Sequence, residues 1–243
     1  MSGHSKWHNI QAKKGKADKA KSSQFTKVSR LITVAAKQGG GDANMNFSLR
    51  LAIEKAKEVN MPKDNIERAI KKGTGEGSDG VQFEEVLYEG FGPGGVALLV
   101  EALTDNRNRT NSEVRSIAAK HGGNIGASGS VQWQFQHLGV VRISSEEMKK
   151  ISSRDDFDLS LIDAGAEDIE ESEFGLEIFC QIPHFQSVME KVQAFGLSPD
   201  ESGLEWVAKE TVEVDGEGSE ALQKLIELFE EFDDVKTVYT NAA

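Results

Sequence analysis

The stretch Gly139–Ala208 decides the fold. It opens on GVVRI (Gly139–Ile143) and continues through a helical stretch, Glu146–Ile162, that is interrupted. DIEESE (Asp168–Glu173) and LEIFCQI (Leu176–Ile182) follow, then a helix over Phe185–Phe195 and finally LEWVA (Leu204–Ala208). Short runs rich in β-branched and aromatic residues read as strands, and the longer segments between them read as helices. The order is β-α-β-β-α-β, that of a ferredoxin-like unit.

On the N-terminal side of that unit, Glu84–Glu89 and Val96–Leu103 read as strands around Gly90–Gly95. A helix is expected over Thr110–Lys120 and a further strand near Val131–Phe135. On the C-terminal side, Thr211–Val214, a helix over Ser219–Glu231 and a strand over Val235–Tyr239 have no sheet of their own. They are expected to complete the sheet begun before residue 135. The ferredoxin-like unit is then an insertion, and the class is α+β. The expected domains are a basic helical domain over 1–79, a middle α/β domain over 80–134 plus 209–243, and the inserted domain over 135–208.

The first 72 residues read as helical. Phe25, Val28, Ile32 and Ala35 recur at three- and four-residue steps, so they share one helix face. Gly39–Gly41 ends that helix. Leu49, Ile53 and Ala56 mark a second, and Pro62 opens a third, on which Ile66 and Ile70 face inward. Gly73 is expected to close the third helix in a left-handed conformation. Residues 73–80 (GTGEGSDG) form an acidic, glycine-rich linker.

The charge is split between the ends. Residues 1–72 hold 16 Lys+Arg and 6 Asp+Glu, a net of +10; the 28 and 40 of the whole chain leave 12 and 34, a net of −22, for the rest. A basic module joined to an acidic body predicts that one end meets a polyanion. No run approaches the roughly 20 apolar residues of a membrane helix. The first 30 residues carry eight positive charges and no apolar core segment, unlike a secretory signal. A mature cytosolic start is expected. The single cysteine, Cys180, excludes an internal disulfide and is expected in the core.

Lys6, Lys13, Lys14, Lys16, Lys19, Lys21, Lys27 and Arg30 cannot all lie on one helix face. Spread around the chain they suit an arm lying along a phosphate backbone, where counterion release gives affinity without sequence preference. Trp7 is either a base-stacking platform or the cap of a small core. Asp105–Thr110 (DNRNRT) precedes Thr110-x-x-Glu113, a capping box, which places Arg107 and Arg109 just outside a helix N-terminus. A phosphate or carboxylate fits there, or the two arginines pair with Asp105, Glu101 or other acids of the body. Gly90–Gly95 matches a dinucleotide fingerprint as text, but a strand follows it, so a hairpin turn is expected. Gly122–Ser130 is either a connector or a nest of N–H groups for an anion.

Catalytic signals are weak. The five histidines are dispersed, no nucleophile elbow appears, and paired acids such as Glu84-Glu85 and Asp155-Asp156 read as solvated faces. No metal, cofactor or catalytic residue is expected.

Several strings in order resemble the YebC family of bacterial proteins and their mitochondrial relatives: Gly3–Trp7 (GHSKW), Gly39–Asp42 (GGGD), Asn60–Pro62 with Ile66–Lys72, Tyr88–Asp105 (YEGFGPGGVALLVEALTD), Asn106–Thr110 (NRNRT) and Asp233–Asn241 (DDVKTVYTN). Ala43 after Asp42 and Ala127 in the Gly126–Ser130 loop depart from the family pattern. The resemblance covers essentially the whole chain. It implies three domains, the last inserted, and a factor in gene expression bound to nucleic acid or to the ribosome. It assigns no individual binding residue.

The expected function is therefore that of a cytoplasmic, non-enzymatic regulator. It grips DNA or ribosomal RNA through Lys6, Trp7, Lys13, Lys14, Lys16, Lys19, Lys21, Lys27 and Arg30, with Arg107 and Arg109 as further contacts. The ribosome is a candidate partner, and neither a membrane nor a small-molecule substrate is expected. The alternatives are an acidic protein-interaction adaptor, or an enzyme with its site between domains.

Overall fold

Residues 21–75 and 83–243 are described by a computed structural model of the chain. They form two packing units. The first holds described residues 21–131 and 214–240, the second 132–213 and 241–243.

The first unit begins with three helices: α1 (Lys21–Gly39), α2 (Phe47–Glu58) and α3 (Lys63–Gly73). Their core is the face read from the sequence, with Val28, Ile32 and Ala35 of α1 packed against Leu49 and Ala56 of α2 and Ile66 of α3. The α1–α2 corner is tied by Asn46. Its Oδ1 accepts from Leu49 N to cap α2, and its Nδ2 donates to the carbonyls of Ala35 and Gly40 at the end of α1. One buried amide thereby satisfies groups from two helix ends.

Gly73 differs from expectation. It is the last residue of α3, and the left-handed residue is Gly75 (φ 86°). A Cβ on Gly73 would lie 2.3 Å from the Thr33 carbonyl oxygen, so glycine is needed there for the close approach of α3 to α1.

The same unit holds an antiparallel sheet in the order β3-β1-β2-β8, from β1 (Glu84–Phe91), β2 (Ala97–Thr104), β3 (Asn124–Ile125) and β8 (Val235–Thr240). Glu84 pairs with Thr104 and Phe91 with Ala97, so Gly90–Gly95 does close a hairpin. Gly94 and Gly95 hold its turn at φ 75° and 74°, a conformation that side chains with a Cβ disfavour. The sheet packs with α4 (Arg107–Lys120) and α8 (Gly216–Glu231), which bury Val114 and Ala118, and Leu222, Leu225 and Phe229. Strand β8 pairs with β2. The chain therefore returns, after the whole of the second sheet, to complete the first.

The second unit carries β4 (Phe135–Ser144), α5 (Ser145–Met148), α6 (Arg154–Asp163), β5 (Ala166–Ser172), β6 (Gly175–Cys180), α7 (Phe185–Ala194) and β7 (Glu201–Ala208). Its sheet order is β5-β6-β4-β7, antiparallel throughout. This is the ferredoxin-like order, and the α+β class with an inserted unit stands. Residues 132–134, expected in a strand, form a short 3-10 turn before β4. Thr211–Val214 contributes one parallel bridge, Val212 to Ala242.

Arg142 lies in the second sheet with 2% exposure. Its Nε meets Glu177 at 2.9 Å, and its two terminal nitrogens grip Glu205 at 2.8 and 3.1 Å. Desolvation of a charge this deep is tolerable only with such pairing. No described helix is long and apolar enough to cross a membrane.

Candidate nucleic-acid interface

Lys6, Trp7, Lys13, Lys14, Lys16 and Lys19 lie outside the described residues. Lys21 begins α1. The remaining expected contacts are Lys27 and Arg30 on α1 and Arg107 and Arg109 on α4, and the structure treats them differently.

Lys27 Nζ donates to the Glu230 carbonyl, in the last turn of α8. Arg30 donates to the Asp233 carbonyl at 2.9 Å and to Asp234 Oδ1 at 2.7 Å. The last turn of α8 has no basic residue of its own, only acidic Glu230 and Glu231. Its free carbonyls and its dipole favour positive charge, and α1 supplies it. These two cations therefore dock the helical segment onto the end of α8 and the start of β8.

Arg109 turns to the same carboxylate. It pairs with Asp234 Oδ2 at 2.7 Å and with Asp105 at 2.8 Å, and Thr110 Oγ1 donates to Asp234 Oδ2 at 2.7 Å. Asp234 is 2% exposed, and the Leu103 N–H donates to its backbone carbonyl at 2.7 Å. Burial alone would raise its pKa. Hydrogen bonds from Arg109, Thr110 and Arg30 outweigh that and hold its carboxyl below the ordinary range. One buried carboxylate thus joins α1, α4 and β8.

The start of α4 is also corrected. Its cap is Asn106, whose Oδ1 accepts from Arg109 N at 3.1 Å, so the helix begins at Arg107. Thr110 does not cap it; its hydroxyl is buried and committed to Asp234 and Thr104. Arg107 and Arg109 therefore lie in the first turn rather than outside it. Of the four candidate cations with described side chains, Arg107 alone makes no hydrogen bond or ion pair among the described residues.

The end of the Gly122–Ser130 loop, with Val131 after it, meets an internal anion. Gly129 N donates to Glu89 Oε1 at 2.6 Å and Val131 N to Glu89 Oε2 at 2.9 Å, while Gly126 N donates to the Glu89 carbonyl. Glu89 is 2% exposed. Its carboxylate fills the cradle that the sequence left open to an outside anion.

The exposed side chains of Lys37, Lys55, Lys57, Lys63, Arg68, Lys71 and Lys72 form a second cationic set on α1–α3. None of them is among the expected contacts; Lys37, Lys55, Lys57, Lys71 and Lys72 stand in helix last turns, which is the signal the sequence carries for them. Among the described residues, no group of three His, Cys, Asp or Glu side chains is placed to hold a metal.

Two family models match the chain. One, described as the N-terminal domain of TACO1/YebC proteins, matches residues 5–76; the other, their second and third domain, matches residues 83–242. The chain belongs to the TACO1/YebC family.

Within the family, a probable transcriptional regulatory protein of Fusobacterium nucleatum is 46% identical over 242 residues, covering 99% of this chain and 95% of that one. A protein of Persephonella marina with the same descriptive name is 49% identical over 244 residues, with 99% and 95% covered. A crystal structure of a conserved hypothetical protein from Aquifex aeolicus superposes with a TM-score of 0.82 at 42% identity, covering 93% of this chain and 91% of that one.

Proposed function

We propose that this protein is a cytoplasmic regulator of gene expression that acts by binding nucleic acid rather than by catalysis. The observation that carries this reading is the charge split, a net of +10 over residues 1–72 against −22 over the rest. A polyphosphate attracts the first part and repels the second, so the encounter is oriented before contact is made. The relatives described as probable transcriptional regulatory proteins support the regulatory role.

The grip is assigned to Lys6, Lys13, Lys14, Lys16, Lys19 and Lys21, with Trp7 beside them and Arg107 as a contact on the middle domain. Lys27, Arg30 and Arg109 are assigned to holding α1 and α4 in place, because each directs a donor to Glu230, Asp233 or Asp234. Structured RNA is the favoured target. A lysine arm reads shape and phosphate, and this suits folded RNA better than base-edge readout in a duplex groove.

Crosslinking in cells, followed by identification of the attached nucleic acid, tests the reading. Recovery of ribosomal RNA, with salt-sensitive comigration with ribosomes in a sucrose gradient, supports the RNA version. Recovery of promoter DNA supports transcriptional control. Recovery of neither sinks both.

A further inference from the structure

Helix α6 is apolar on two opposite sides. Phe157 and Leu161 turn inward, both with 0% exposure, and the Phe157 ring meets Phe195 edge-on at 5.1 Å. At about 100° per residue, Leu159 and Ile162 fall on the other side of the helix, where they are 60% and 58% exposed. Single exposed aliphatic residues are ordinary, but two on one helix face, turned away from that helix's own core, mark an interaction surface. A Cβ on Gly165, just after α6, would lie 2.5 Å from His184 Cγ, so the end of α6 abuts the turn that leads into α7. Ile182 stands in that turn and is also exposed, a third uncovered aliphatic group at the same end of the helix.

The charge around these residues has one sign. Residues 154–173 hold nine Asp or Glu and one base, Arg154. Arg154 is already engaged: it donates to both oxygens of Asp158 at 2.7 and 2.9 Å and to Glu171 at 2.8 Å. Asp155, Asp156 and Asp163 are exposed on the outer side of α6 with Leu159 and Ile162, and none of the three is in an ion pair among the described residues. Such a face repels a phosphate backbone or an anionic membrane, and it repels the same face of a second copy. It attracts a basic protein surface.

We propose that the outer face of α6 docks a partner protein through a basic amphipathic helix, whose aliphatic side chains cover Leu159 and Ile162 and whose lysines or arginines reach Asp155, Asp156 and Asp163. Anchors at three- and four-residue steps on such a helix match the three-residue step between Leu159 and Ile162. The proposal goes beyond the nucleic-acid reading and uses none of the residues assigned to it.

The test titrates the full chain with a fluorescein-labelled amphipathic helical peptide that carries leucine on one face and lysine on the other. Two control peptides replace its leucines by serine or its lysines by glutamate. The parent chain should bind the leucine–lysine peptide, bind the serine peptide about tenfold more weakly and fail to bind the glutamate peptide. Leu159→Gln combined with Ile162→Gln should weaken the leucine–lysine peptide about tenfold and leave the serine peptide unchanged. This variant should melt no lower than the parent, because both side chains are exposed. Asp155→Asn, Asp156→Asn and Asp163→Asn together should weaken binding and flatten its salt dependence. Sedimentation of the chain alone, and its affinity for a mixed-sequence RNA, should be the same in the parent and the glutamine variant.

A parent chain that ignores the leucine–lysine peptide, or a glutamine variant that binds it as tightly as the parent does, overturns the docking face and leaves the nucleic-acid reading untouched. A loss of RNA affinity in the glutamine variant would assign the face to nucleic acid. A parent that self-associates where the variant does not would assign it to a second copy. Either result also overturns the proposal.

Discussion

Arg30 and Asp234 meet at 2.7 Å although 204 positions separate them in the chain. The contact fastens the basic helical segment to the strand that completes the first sheet, and Arg109 reaches the other oxygen of the same carboxylate. Two residues picked out by charge as ligands for an outside anion are thus held by an inside one.

Asp234→Asn keeps the shape of this hub and removes its charge. Arg30, Arg109 and Thr110 would then share one neutral acceptor oxygen. A loss of roughly 2–3 kcal/mol in urea unfolding is expected, below the range for a fully buried pair because Arg109 is half exposed. Arg109→Gln should cost less than Arg30→Gln for the same reason.

The hub also sets an acid limit. Asp234 titrates below the ordinary value in the folded protein, and near 3.9 when unfolded. Its contribution is therefore complete above about pH 4 and disappears as pH falls through the folded value. Protection factors of the α1 amides, the exchange rates divided into the intrinsic rates at each pH, should fall on acidification below pH 4 in the parent. In Asp234→Asn the fall should be weaker, because the titrating group is gone.

Glu89→Gln tests the internal nest. A glutamine places an NH2 where an acceptor is needed, facing Gly129 N or Val131 N. Stability should fall by about 1–3 kcal/mol, with faster amide exchange at Gly129 and Val131. Unchanged exchange there would show that the carboxylate does not order the loop.

Cys180 is fully buried in β6, and burial, with Glu167 nearby, pushes its thiol up to about 11. At pH 8 only about a thousandth is thiolate, so alkylation should be negligible in the native protein and rapid in urea. Fast labelling of the folded chain would contradict the packing of the second sheet.

The sheets were legible because long apolar strands and glycine turns are local signals. The ferredoxin-like order follows from such signals alone. Strand β3 was not seen, since two residues carry no periodicity. The start of α4 was misplaced because Thr110-x-x-Glu113 mimics a capping box. The competing choice, Asn106, wins because the Thr110 hydroxyl is claimed by Asp234, 124 positions away. Arg142 sits in GVVRI with nothing nearby in sequence to announce a buried guanidinium, since its partners are 35 and 63 residues on. The same limit governs the candidate interface. Charge density marked Lys27, Arg30, Arg107 and Arg109 alike, and only distances between remote residues separate the three that hold the fold from the one that does not.

The most direct test of the central claim is the salt dependence of RNA and DNA binding by the full chain, compared with a variant carrying Lys13→Ala, Lys14→Ala and Lys16→Ala. The parent should bind at low salt with a steep slope, and the variant should bind more weakly with a slope shallower by roughly 2–3 units. A parent chain that ignores both nucleic acids, or a variant that matches it in affinity and slope, would contradict the claim that the basic head grips phosphate.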